Sequence, residues 1–241
     1  MKRAWQIFKK VFLWAVILQF VYLIILIWVS PPVTITQTVS WITGHGLQRD
    51  YIDYDEMGPN IKLAVIASED QLFPDHDGFD VKAIKKAMKY NEKHPKKTRG
   101  ASTISQQTAK NIFLWQHGGW FRKGLEVYFT FMIELLWSKE KILEHYLNVA
   151  EMGDGVFGVQ AAARAYFNKD AKNLTRQEAA MIAACLPNPK VYSVKPISRY
   201  VSNRYDDILR QMNNLTGDKE IEELVNGTEE KNDRKDAKPL K

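Results

Sequence analysis

With 241 residues and 45% hydrophobic content, the chain can bury a core in one large domain with appendages, which sets aside a polypeptide too small or too polar to fold. Its single cysteine, Cys185, excludes an intramolecular disulfide, and its place in the apolar run AAMIAACL marks a small buried hydrophobe rather than a nucleophile. The formal charge of +6 calls for an anionic partner and leaves nucleic acid, a membrane surface and a phosphorylated substrate open.

Residues 11–29, VFLWAVILQFVYLIILIWV, are nineteen positions broken only by Gln19. As a helix they would extend about 28 Å, close to the thickness of a bilayer core. Trp5, Trp14, Tyr22 and Trp28 include aromatics near both ends, and Lys2, Arg3, Lys9 and Lys10 precede the span. This predicts a transmembrane anchor with residues 1–10 in the cytoplasm and the rest outside it. Ser30, Pro31 and Pro32 follow where a signal peptide would place a small-residue cleavage site. Residues 30–60, with Pro31, Pro32 and Pro59, read as a membrane-proximal linker carrying one amphipathic segment, VTITQTVSWI.

From residue 61 to 214 the pattern is mainly helical. Apolar residues at three- and four-residue spacing predict helices over Arg122–Trp137, Lys139–Glu151, Val159–Phe167 and Thr175–Leu186, the last opened by a capping box of Thr175 and Glu178. Residues 215–241 are polar, charged and nearly free of aromatics, and read as a disordered tail.

Three stretches carry chemistry. In AVIASEDQLFPDHDGFD, Ala64–Asp80, an apolar run gives way to Glu69, Asp70, Asp75, His76, Asp77 and Asp80. Apolar residues ending in carboxylates suggest an element that delivers acids to the rim of a cleft, where burial raises a glutamate toward useful proton affinity. The bland alternative is a polar loop after a core element. GASTISQQTAKN, Gly100–Asn111, concentrates donors and places Gln107, Lys110 and Asn111 on one helical face, an arrangement suited to an anion such as a phosphate, or equally to an N-capped amphipathic helix with a merely polar face. In FRKGLE, Arg122, Lys123 and Glu126 share a helical turn. Between the first two lies the lysine-rich run Val81–Arg99, either a solvated helix face or a mobile loop touching anionic lipid or substrate.

In sequence order, EDQLFPDHDGFD, RGASTISQQTAKN, RKGLE, KEKILEHYLN and GVFGVQAAARAYF resemble the five signature motifs of the family 51 glycosyltransferases, the peptidoglycan glycosyltransferases. The resemblance covers roughly residues 50–210. No penicillin-binding domain follows, so the expectation is a monofunctional member without a transpeptidase domain. Ser138 to Lys141 is formally S-x-x-K, but it lies between two motifs and reads as a decoy.

The resemblance implies a mainly α, lysozyme-like glycosyltransferase domain behind one transmembrane helix, polymerising lipid II into β-1,4-linked glycan with release of undecaprenyl pyrophosphate. It makes Glu69 the base acting on the acceptor 4-hydroxyl, and Glu126 the second essential glutamate. Asp70, Phe73 and His76 complete the first motif, support its geometry and count among the substrate-binding residues. Ser102, Thr103, Gln107, Lys110 and Asn111 match the substrate contacts of the second motif, with Lys110 and Arg122 on the donor pyrophosphate. Ser105 stands where the second motif usually has threonine.

No cofactor is required by the sequence; a divalent metal, Mg or Mn, with Glu126 as a candidate ligand, is left open. The partners implied are lipid II, the growing glycan, the inner membrane and cell-wall synthesis or division proteins, with no nucleic acid. A lysozyme-like muramidase or lytic transglycosylase would explain Glu69 but leave Lys110 and Arg122 without a task. A membrane-anchored scaffold would make Glu69 dispensable.

Overall fold

The apolar run near the amino end forms α1 (Lys2–Ile25), and most of its large side chains are exposed, as a lipid-facing helix requires. It is a helix long and apolar enough to cross a membrane. Its carboxyl end is docked, not free. Leu23 and Leu26 are buried, Trp137 Nε1 donates to the Leu23 carbonyl at 2.9 Å, and His145 Nε2 donates to the Leu26 carbonyl at 2.7 Å. Burial pushes His145 down to about 4, so the ring making this contact is neutral at physiological pH. These ring N–H groups satisfy carbonyls near the end of α1, where the helix itself supplies few donors.

The computed structural model describes residues 2–95, 99–116 and 118–226. After α1 come α2 (Ile35–Ile42), the short strand β1 (Gln48–Arg49), α3 (Pro59–Glu69), α4 (Val81–Lys93) and α5 (Ile104–Phe113). Next are α6 (Trp120–Leu136), α7 (Lys139–Val149), β2 (Glu151–Gly153), β3 (Val156–Phe157) and α8 (Val159–Phe167), then α9 (Arg176–Cys185), α10 (Arg199–Asn214) and α11 (Lys219–Asn226). The strands form one small sheet in the order β1-β3-β2, with β1 parallel and β2 antiparallel to β3. Helices dominate, as the spacing predicts, and the Thr175–Glu178 capping box opens α9.

The core is built around α3. Pro59 sits in its first turn, and Ile61 and every residue from Leu63 to Ala67 are buried, so the helix is enclosed on all sides by α9, α10 and α11. On the other flank α5 packs against α6 and α7. Cys185 is buried in α9 and its thiol is pushed up to about 12 by burial, consistent with a packing role. Ser138 is the N-cap of α7, accepting from the Lys141 N–H, so the S-x-x-K pattern is a helix start.

Two expectations change, and a third, open between helix and loop, is narrowed. The expected linker 30–60 folds onto the domain: a Thr34–Gln37 capping box starts α2, Gln37 donates to Tyr51 Oη at 2.7 Å, Asn148 exchanges hydrogen bonds with the Ile52 backbone, and Met57 is buried. The expected tail from 215 begins with α11, whose Ile221, Leu224 and Val225 are buried; residues 227–241 lie outside the described residues. The lysine-rich run is the helix α4 over Val81–Lys93, capped by Asp80, with no buried residue; Lys96, Lys97 and Thr98 lie outside the described residues.

Candidate active site

Glu69 is the last residue of α3, and the chain turns away at Asp70, so a core helix ends by presenting one carboxylate to a cavity of about 530 Å³. Gln107 on α5 donates to Glu69 Oε2 at 2.7 Å. Burial raises the Glu69 pKa above the usual glutamate value; the Gln107 hydrogen bond, the Arg204 charge and a Ser68 hydrogen bond oppose the shift without cancelling it. A carboxylate held this way is a stronger base than a solvated one and has a partner that fixes its direction.

The rest of the first motif stands behind Glu69. Asp70 accepts from His76 Nε2 at 3.0 Å with one oxygen, and with the other from the Ile104 N–H at 3.0 Å, which ties the end of α3 to the first turn of α5. For His76 burial works to lower the pKa, but the hydrogen bond and charge of Asp70 outweigh it and the net shift is upward. Phe73 is fully buried, its ring edge-on to His76 with centroids 6.4 Å apart. The expectation that Phe73 contacts substrate is therefore corrected: a side chain with no exposed surface shapes the motif from inside. Thr103 caps α5 through a box with Gln106 and donates its hydroxyl to Gly78 O at 2.7 Å, while Ser102 lines the Glu69 cavity.

A second cavity of about 540 Å³ shares Gln107 with the first, so Gln107 stands where two lobes of one cleft meet. Lys110 and Asn111 line this lobe, together with Thr36 of α2, Tyr146, Glu151 and Lys190. Burial lowers the pKa of Lys110; the Glu126 charge opposes the shift, and Arg122 and Lys123 add to it. Lys110, Arg122 and Lys123 thus form one positive cluster around a single carboxylate.

Glu126 is buried on α6. Arg122 donates to its Oε2 at 2.8 Å and Lys123 to its Oε1. Its two oxygens are taken by two cations and a third lies nearby, so the residues around it do not fit a divalent metal; among the described residues no cluster of three or more His, Cys, Asp or Glu side chains has the arrangement of a metal site. In this arrangement Glu126 is an anion that organises cations.

The structure brings Glu69, Asp70, Ser102, Thr103 and Gln107 to one lobe and Gln107, Lys110 and Asn111 to the other, with the charges of Arg122 and Glu126 acting on Lys110. Sequence reasoning did not single out Tyr146, Glu151 or Lys190. Tyr146 lies within the fourth motif quoted above and was available; Glu151 and Lys190 carry no spacing signal, because the chain fold alone brings them to the cleft.

Residues 36–213 match the family described as Transglycosylase. The chain is 57% identical over 169 residues to a "Biosynthetic peptidoglycan transglycosylase" of Haemophilus influenzae, covering 70% of this chain and 69% of that protein. It is 53% identical over 184 residues to the proteins of the same name from Yersinia pseudotuberculosis serotype O:3 and Yersinia pestis strain Pestoides F, covering 75% of this chain and 76% of each. A mainly helical, lysozyme-like glycosyltransferase domain is the class of protein that this fold and these matches define. The chain belongs to the transglycosylase family and is a peptidoglycan glycosyltransferase.

Proposed function

We propose that this enzyme polymerises lipid II, a disaccharide-pentapeptide on undecaprenyl pyrophosphate, with Glu69 as general base. Glu69 removes the proton from the acceptor 4-hydroxyl as that oxygen attacks the anomeric carbon of the donor. The bond from that carbon to the pyrophosphate oxygen breaks, and the leaving group carries off the electron pair as undecaprenyl pyrophosphate. In-line attack inverts the anomeric carbon and gives a β-1,4 linkage. Pyrophosphate needs no proton to leave, so a cationic cluster suffices on that side. Lys110, with Arg122 and Lys123 behind it, supplies that cluster, and Glu126 holds the latter two in place. Ser102, Thr103 and Asn111 would orient the substrate.

The observation that carries the reading is the shared cleft: Gln107 joins the lobe of a half-buried carboxylate with raised proton affinity to the lobe of a half-buried cation. We further propose that α1 spans the inner membrane once, with its amino end in the cytoplasm and the catalytic domain in the periplasm. The four cations ahead of the span and a lipid-borne substrate support that orientation. Incubation with lipid II and, separately, with preformed glycan tests the reaction. Lengthening of lipid II into glycan, with the preformed strands intact, is expected. Cleavage of preformed strands without polymerisation would place the enzyme with the lytic group.

A further inference from the structure

Behind the cleft, polar contacts close into a ring. Glu134, further along α6 from Glu126, accepts from Ser105 Oγ on α5 and from Lys139 Nζ at the start of α7, the latter at 2.8 Å. The same ammonium donates to the main-chain carbonyl of His76. His76 reaches Asp70, and Asp70 accepts from the N–H of Ile104, the residue before Ser105. Glu134 is the one member that holds two other helices at once. The loop leading to α4 is drawn tightly over it: Gly78 has φ +85°, and a Cβ there would lie 2.9 Å from Glu134 Cγ. Ser105, Glu134 and Lys139 line neither lobe, so their influence reaches substrate only through other residues. The shortest route is along α5, because Gln107, the partner of Glu69, lies two positions after Ser105.

We propose that Glu134 is a positioning residue for glycan polymerisation: by clamping Ser105 and Lys139 it fixes α5 against the end of α3, and so fixes where Gln107 holds the Glu69 carboxylate. This rests on Glu69 as the base. Removing the Glu134 carboxylate strips the partly buried Lys139 of its counter-charge and frees the first turn of α5. A drift of about 1 Å in a reacting group costs on the order of 100-fold in rate.

The test uses the full chain in lipid bilayers with lipid II, with competent sites counted by titration with a phosphoglycolipid donor mimic. Glu134→Ala is expected to lower kcat per titrated site by about 10- to 100-fold, with KM held within about twofold. Ser105→Ala, a small change that folds readily, should lower kcat in the same direction by about threefold or more. Glu134→Gln keeps an acceptor for both partners but not the counter-charge of Lys139 and should recover part of the loss, and the double variant Glu134→Ala with Ser105→Ala should be no slower than Glu134→Ala alone. Wild-type kcat per site in Ser105→Ala, or a Glu134→Ala defect confined to the number of titratable sites, would overturn the proposal, and the first of these decides even if Glu134→Ala does not fold. Wild type and Glu69→Gln run in parallel: equal rates for those two would count against the base assignment and not against the clamp.

Discussion

At the scale of single residues, two ionisable groups with opposite shifts define the cleft. Glu69 is raised and Lys110 lowered, each chiefly by burial, so each holds its charge at a cost that substrate can relieve. For Lys110 the sign is direct. The ammonium exists below its pKa, and that pKa is depressed, so affinity for a pyrophosphate donor mimic should fall with rising pH earlier than an ordinary lysine would dictate. Binding titrations across the alkaline range check this, with Lys110→Arg as the reference whose affinity stays flat; an equally flat wild-type curve would remove Lys110 from the donor contact. Much of this was legible in the sequence, since Glu69, Gln107, Lys110 and Asn111 all sit in the quoted motifs. The hydrogen bond from Gln107 to Glu69 was not, because it spans 38 positions and depends on α5 packing beside the end of α3. Glu134 gave no signal either: one carboxylate in the amphipathic helix α6 looks like any solvated side chain until its neighbours are known.

At the scale of elements, spacing located α6 to α9 closely because each has an apolar stripe to bury. Composition misled at α11, where abundant acids conceal Ile221, Leu224 and Val225 at three- and four-residue spacing, the part of the pattern that decides burial. The lysine-rich α4 is the opposite case. It buries nothing, yet Asp80 and Ala83 at its start line the Glu69 lobe, and Arg99 beyond it lies over the Tyr90 ring at 3.9 Å and shares two hydrogen bonds with Asn91. A wall of the cleft is therefore a cationic helix, and among the described residues its lysines make no ion pair; we propose that they meet an anionic lipid surface, each worth about 1 kcal/mol there. Replacing Lys85, Lys86, Lys89 and Lys93 by Gln should weaken binding to anionic vesicles by about tenfold or more and flatten its salt dependence, as co-sedimentation would show. An unchanged salt dependence would leave α4 a solvated face.

At the scale of the whole molecule, the helix expected to anchor the chain is also part of the domain. The carbonyls of Leu23 and Leu26 are held by Trp137 and His145, and Gln19, the polar break in the apolar run, donates to Tyr128 of α6 at 2.8 Å. The cleft therefore stands at a fixed relation to the end of α1, as the proposed reaction at a membrane surface would need. Within that frame we propose that one carboxylate, Glu69, accepts the proton while the cations around Glu126 hold the donor. Polymerisation of lipid II by Glu69→Gln and Glu126→Gln, beside donor-mimic affinity and circular dichroism for both, tests it most directly. Glu69→Gln is expected to bind the mimic as wild type does while turnover falls by about 100- to 10,000-fold, and Glu126→Gln to lose donor affinity. Near wild-type polymerisation by Glu69→Gln, with a Glu126→Gln defect in turnover alone, would contradict it.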